Sequence, residues 1–171
     1  MKNLTKFLTI ALSLFAGLIF GMNIKIFYET STFKPYGWDA PPTILNCYGS
    51  DFSRLQMSRA MDYWAIRGHT LEKYVHNPSE EQCKKEWIPG YIIVRKSNSL
   101  KVNTLGSTRR YTTLTTMRGA VIHYRPGSFN LDLINEHELG HALGFAHVEI
   151  EDHIMHPDFG KMGRDFWIPV E

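Results

Sequence analysis

The chain is 171 residues long, 43% hydrophobic and 13% aromatic, with a formal net charge of +2. That length and apolar content suit one domain with its own core and an appendage. The charge is too small to argue for a nucleic-acid partner, and no repeat or low-complexity tract points to an array or a disordered chain.

The appendage is N-terminal. Lys2 and Lys6 precede a run from Phe7 to Phe20 that carries no charge. The run fits the apolar region of a signal peptide and is short for a membrane span. Extending it to Phe27 reaches spanning length but takes in Asn23 and Lys25. Ala11-x-Ser13 comes too early for a cleavage site and Ile19-x-Gly21 matches one poorly, so residues 1–27 read equally as a cleaved signal peptide or an uncleaved signal-anchor. Either places the rest of the chain outside the cytoplasm, secreted or held by a single-pass segment; a buried core helix is the plainer alternative. Residues 28–37 are polar, contain Pro35, and read as a linker to a domain at 38–171.

Pro41 and Pro42 exclude helix at the start of that domain, and Thr43 to Tyr48 follows as a first strand. Asp51 or Ser53 can cap a helix that runs to about Arg67, with Met57, Ala60, Met61 and Trp64 as its apolar stripe and Gly68 as its stop. Glu72 to Glu86 is polar and reads as a loop. Tyr91 to Val94 is a buried strand between Pro89-Gly90 and Ser97-Asn98-Ser99. Arg110 to Thr116, rich in threonine, suits an edge strand, and Ala120 to Tyr124 is another apolar strand. Basic residues gather between Lys84 and Arg125, which reads as a solvated face, or else as a weak preference for acidic substrates or a surface-bound partner.

Cys47 and Cys83 are the two cysteines. An even count in an exported domain suggests a disulfide between them; two unpaired thiols remain the alternative, because sequence does not show that they meet. Neither lies in a C-x-x-C pattern, which argues against redox catalysis.

The next helix carries His137-Glu138-x-x-His141-x-x-Gly144-x-x-His147. Asn130 is its candidate cap, Asp132 is favourable in its first turn, and Leu139, Ala142 and Leu143 form its core side. Histidines four apart lie one above the other on a helix face, where two imidazoles can share a metal ion. Gly144, with no Cβ, can end the helix in a left-handed conformation and bring His147 round as a third nitrogen. Three neutral nitrogens with an open fourth position describe a catalytic zinc site, and Glu138 stands within reach of a water on that metal. His69, His76, His123, His153 and His156 read as solvated or hydrogen-bonded side chains.

Ile154-Met155-His156-Pro157 follows, with Met155 eight residues after His147. With this element added to the zinc motif, the chain resembles the metzincin metallopeptidases, most closely their matrixin-like branch. The resemblance implies an α+β zincin domain: a twisted mixed β-sheet packed on two long helices, with a short C-terminal subdomain. It implies one catalytic Zn2+ ion on His137, His141 and His147, Glu138 as general base and later acid, Gly144 as the turn, and Met155 as a floor that is not a ligand. The edge strand at Arg110 to Thr116 would pair with an extended protein or peptide substrate, and Pro157 to Phe159 would help wall the pocket beyond the scissile bond. The implied activity is zinc-dependent endopeptidase hydrolysis of extracytoplasmic proteins, through a zinc-bound water and a glutamate base. A catalytically inactive, zinc-bearing peptide-binding module is the alternative, and peptide crosslinks of a cell wall are a further substrate class. The N-terminal segment offers a means of membrane anchoring.

The chain departs from the family pattern in several places. Cys47 sits in an expected strand with no cysteine-switch motif around it. Pro157 stands where astacin-like members carry a tyrosine. Loops of the kind that bind structural calcium are not recognisable, so calcium is not indicated, and a C-terminal helix has little room.

Overall fold

The computed structural model describes residues 37–114 and 116–167. The export segment at 1–27 and all of the linker except Gly37 lie outside the described residues. Among the described residues no helix is long and apolar enough to cross a membrane. The elements are β1 (Gly37–Trp38), β2 (Thr43–Cys47), α1 (Arg54–Ala65), β3 (Tyr74–Val75), α2 (Glu80–Lys84), β4 (Tyr91–Lys96), β5 (Gly106–Thr113), β6 (Thr116–Tyr124) and α3 (Ile134–Leu143), with 3-10 turns at Ser128–Asn130 and Phe159–Lys161.

One mixed sheet organises the domain. β3, β2, β4 and β6 follow one another in parallel, β1 also joins β6 in parallel, and β5 lies antiparallel to β6. A parallel sheet is covered on both faces, which is why its central strands are unbroken apolar runs. Successive side chains alternate between the two faces. Ile44, Ile92, Val94, Ala120 and Ile122 pack with the helices in the main core, whereas Leu45, Ile93 and Val121 form a second cluster with Ile88 and Tyr111.

Ser53, one of the two cap candidates, caps α1 by accepting from the Gln56 backbone N–H. Met57, Ala60 and Trp64 of its stripe are buried, Met61 is partly buried, and Tyr63 joins them. The Trp64 indole N–H donates to the Glu136 carbonyl at 2.7 Å, tying α1 to α3.

Several expectations need correction. The stretch 72–86 is not all loop: it holds β3, which pairs with β2, and α2, whose start is a capping box between Ser79 and Gln82. A two-residue strand and a five-residue helix are too short to show a period. α2 carries Cys83, and a disulfide joins Cys83 to Cys47 with Cα atoms 5.4 Å apart. β5 begins at Gly106, not Arg110, and Thr116 belongs to β6. Gly37, assigned to the linker, is paired with Thr116. Asn130 does not cap α3; it ends a 3-10 turn, and the cap position before Ile134 is Leu133, which takes a positive φ of 67° with no side-chain cap. Asp132 accepts from the Arg164 guanidinium.

Candidate active site

α3 is buried over most of its circumference, from Ile134 to Gly140 and again at Ala142 and Leu143. The apolar side expected at Leu139, Ala142 and Leu143 is therefore only part of the buried surface. Its other side carries His137, Glu138 and His141 into the wall of a cleft of about 710 Å³. Trp38 steadies the far end, its indole N–H donating to the Ala142 carbonyl at 3.0 Å.

Gly144 ends the helix at φ 109°, a conformation that side chains rarely adopt. The turn brings His147 back over the helix. The Nε2 atoms of His137 and His141 are 3.1 Å apart, and those of His141 and His147 are 3.0 Å apart. The rings are oriented from behind. His137 Nδ1 lies 2.8 Å from the Ile154 carbonyl and His141 Nδ1 lies 2.9 Å from the Phe145 carbonyl. A carbonyl can only accept, so both Nδ1 atoms carry the proton and both Nε2 atoms are bare lone pairs.

Burial keeps these rings neutral. It pulls His137 down to about 4 and His141 down to about 3, with the neighbouring histidines adding to the fall. His147 is lowered too, by burial first and then by His156 and Arg110. Bare lone pairs 3.1 Å apart repel one another, and a shared cation converts that repulsion into ligation. Imidazole nitrogens of this kind suit zinc. Among the described residues, His137, His141 and His147 form a group that could hold a metal ion.

Glu138 is 3% exposed. Burial raises its carboxyl to about 7 against a hydrogen bond from Thr108, which lowers it. The Thr108 hydroxyl is 2.6 Å from Glu138 Oε2. Gly106, Thr108 and Arg110 of β5 line the cleft together with Pro157, Asp158 and Phe159. The Arg110 guanidinium donates to the Gly144 carbonyl at 3.3 Å.

Met155 is fully buried behind this constellation. Its backbone N–H donates to His153 Nδ1, its carbonyl accepts from Val148, and the Ile154 N–H donates to the Asp165 carbonyl. His153 and His156, read as ordinary polar side chains, are buried parts of this turn, and His156 Nδ1 accepts from the Asp158 N–H. His123 lies on β6, opposite Arg95 and Ser107 in the ladder.

Sequence reasoning brought His137, Glu138, His141, Gly144, His147 and Met155 to one region, and the structure assembles all six there. It missed Thr108, Gly106 and Trp38. The signal for the first two was the two-residue period through Gly106, Thr108 and Arg110, which puts three positions on one strand face.

The family model for matrixins, a peptidase family, matches residues 55–169, more than half of the chain. No individual curated protein matches it significantly. With the zinc-type histidine cluster and the α+β domain around it, the match identifies the chain as a member of the matrixin family, a zinc metalloendopeptidase.

Proposed function

We propose that this matrixin cuts extended segments of proteins outside the cytoplasm, with one Zn2+ held by His137, His141 and His147 and Glu138 as general base. The observation that carries the reading is a buried carboxylate, Glu138, in the wall of the cleft on which three imidazole nitrogens converge. A purely structural site has no use for such a carboxylate and fills its fourth position with protein.

When bound there, zinc supplies a Lewis acid that lowers the pKa of a water and polarises a carbonyl. Substrate alignment belongs to β5. Among the described residues β5 pairs with β6, and its Gly106-to-Arg110 end borders the cleft, so an extended peptide can add to its open edge. Glu138 takes a proton from the attacking water as the water oxygen bonds to the scissile carbonyl carbon. It returns that proton to the amide nitrogen as the C–N bond breaks, leaving an amine and a carboxylic acid whose remaining proton, the second from the water, is lost to solvent or to the amine to give the carboxylate. Gly144 makes the turn that delivers His147. Met155 serves as an apolar floor and not as a ligand, and Pro157 and Phe159 help select the side chain beyond the cut.

Two features support an extracytoplasmic setting: the uncharged run from Phe7 to Phe20 behind Lys2 and Lys6, and the disulfide between Cys47 and Cys83, a bond that persists in oxidising compartments.

The test is zinc content together with cleavage of a random peptide library by the full-length protein. A single zinc per chain with cuts inside the peptides is expected. Zinc without any cleavage would favour the binding module, and neither zinc nor cleavage would overturn both readings.

A further inference from the structure

The contact between β5 and the Glu138 carboxylate is more than packing. Gly106 and Thr108 are two residues apart on β5, so they address the same side of the strand, the side that meets α3. The Thr108 hydroxyl has one proton and two nearby acceptors: Glu138 Oε2 at 2.6 Å and the Glu138 carbonyl at 3.2 Å. The carboxylate oxygen is both closer and the stronger acceptor, so it takes the proton. The other oxygen, Oε1, lies where Gly106 has no side chain. A Cβ on Gly106 would stand 2.5 Å from Oε1 and 2.8 Å from the carboxyl carbon. Thr108 is the one side chain among the described residues that hydrogen-bonds this carboxylate.

We propose that Thr108 is a positioning residue for Glu138: its hydroxyl pins Oε2, the bare backbone of Gly106 makes the berth for Oε1, and Oε1 is left as the oxygen that exchanges the proton. The inference rests on the reading of Glu138 as general base. A glutamate has three rotatable bonds and stays in a productive geometry only when its surroundings hold it there. β5 thus has two tasks with one strand, its open edge aligning the substrate and its α3-facing side chains aligning the base.

The experiment uses zinc-loaded, full-length protein and the quenched fluorescent peptide that the wild type cleaves fastest from the library. Thr108→Val keeps the shape and removes the hydroxyl; Thr108→Ser keeps the hydroxyl and removes the methyl. Thr108→Val is expected to lower kcat by roughly ten- to a hundredfold, as for loss of a hydrogen bond to a charged group, with KM and zinc content unchanged. Thr108→Ser recovers most of that loss. Gly106→Ala, which fills the berth, also lowers kcat with zinc retained. A readout apart from activity comes from urea unfolding: Thr108→Val should cost less stability in a Glu138→Ala background than in the wild type. Full kcat in Thr108→Val beside an inactive Glu138→Ala overturns the positioning role alone. Thr108→Ser as slow as Thr108→Val also overturns it, because the methyl would then be what matters. Hydrolysis retained in Glu138→Ala, or no peptide cleaved by the wild type, removes the base reading and this inference with it.

Discussion

Met155 lies directly against Gly140 in the middle of α3, so that a Cβ at position 140 would overlap the Met155 sulfur and the Trp64 ring. The contact joins the turn below the histidines to the helix that carries two of them. Helix propensity alone favours alanine at this position by about 1 kcal/mol. Overpacking a closed core costs about 1–3 kcal/mol, and with Met155 and Trp64 both fully buried there is nowhere for the methyl to go. The second effect wins. Gly140→Ala should lower Tm by several degrees and weaken zinc binding, because the displaced helix segment lies between His137 and His141. Thermal melts and a zinc titration check this; an unchanged or raised Tm would contradict it.

The disulfide anchors an element that cannot hold itself. α2 is five residues long and buries none of its side chains, and it is held to the sheet by Cys83 and by the Arg95 guanidinium, which donates to the Cys83 carbonyl at 3.0 Å and to the Lys85 carbonyl. Cys47 packs with the cluster of Leu45, Ile93 and Val121, on the sheet face away from α3. Cys83→Ser should therefore cost about 2–4 kcal/mol in urea unfolding while leaving peptide hydrolysis under native conditions nearly unchanged. A matched loss of kcat would show that the bond supports the site itself.

His123 gives the stability a dependence on pH. Burial lowers its pKa first, and Arg95 and Arg109 lower it further. The unfolded chain then binds a proton that the folded chain refuses, so stability is present above the ordinary histidine pKa of about 6.5 and is lost as pH falls below it. His123→Gln removes this contribution. Urea midpoints measured at neutral pH and near pH 5 should draw closer together in the variant, by less than one proton's worth because the ring is only partly buried. A wider gap would contradict the assignment.

What the sequence disclosed and what it hid follow from the range of the interactions. Ile92-Ile93-Val94 and Ala120-Val121-Ile122 are legible because a strand covered on both faces has no polar positions. Met57, Ala60 and Trp64 are legible because one helix face repeats within the segment. The histidines, Glu138 and Gly144 stand at fixed spacings along one helix and its turn, so their meeting is local. Thr108 meets Glu138 only through the pairing of β5 with β6 and the packing of β5 on α3, and the two-residue period through Gly106, Thr108 and Arg110 gives the strand face but not what that face meets. The start of β5 at Gly106-Ser107 is polar and partly solvated, so it lacks the apolar signal of the inner strands. The start of α3 is hidden because the chain enters it through a left-handed Leu133, where a capping side chain is the ordinary expectation.

The proposed hydrolysis depends on Glu138 above all. Glu138→Ala should bind the same amount of zinc as the wild type, since the ligand nitrogens belong to His137, His141 and His147, and should lose peptide hydrolysis by at least about a hundredfold, in keeping with the weight of general base catalysis. Zinc retained with hydrolysis undiminished would contradict the claim that this carboxylate moves the proton.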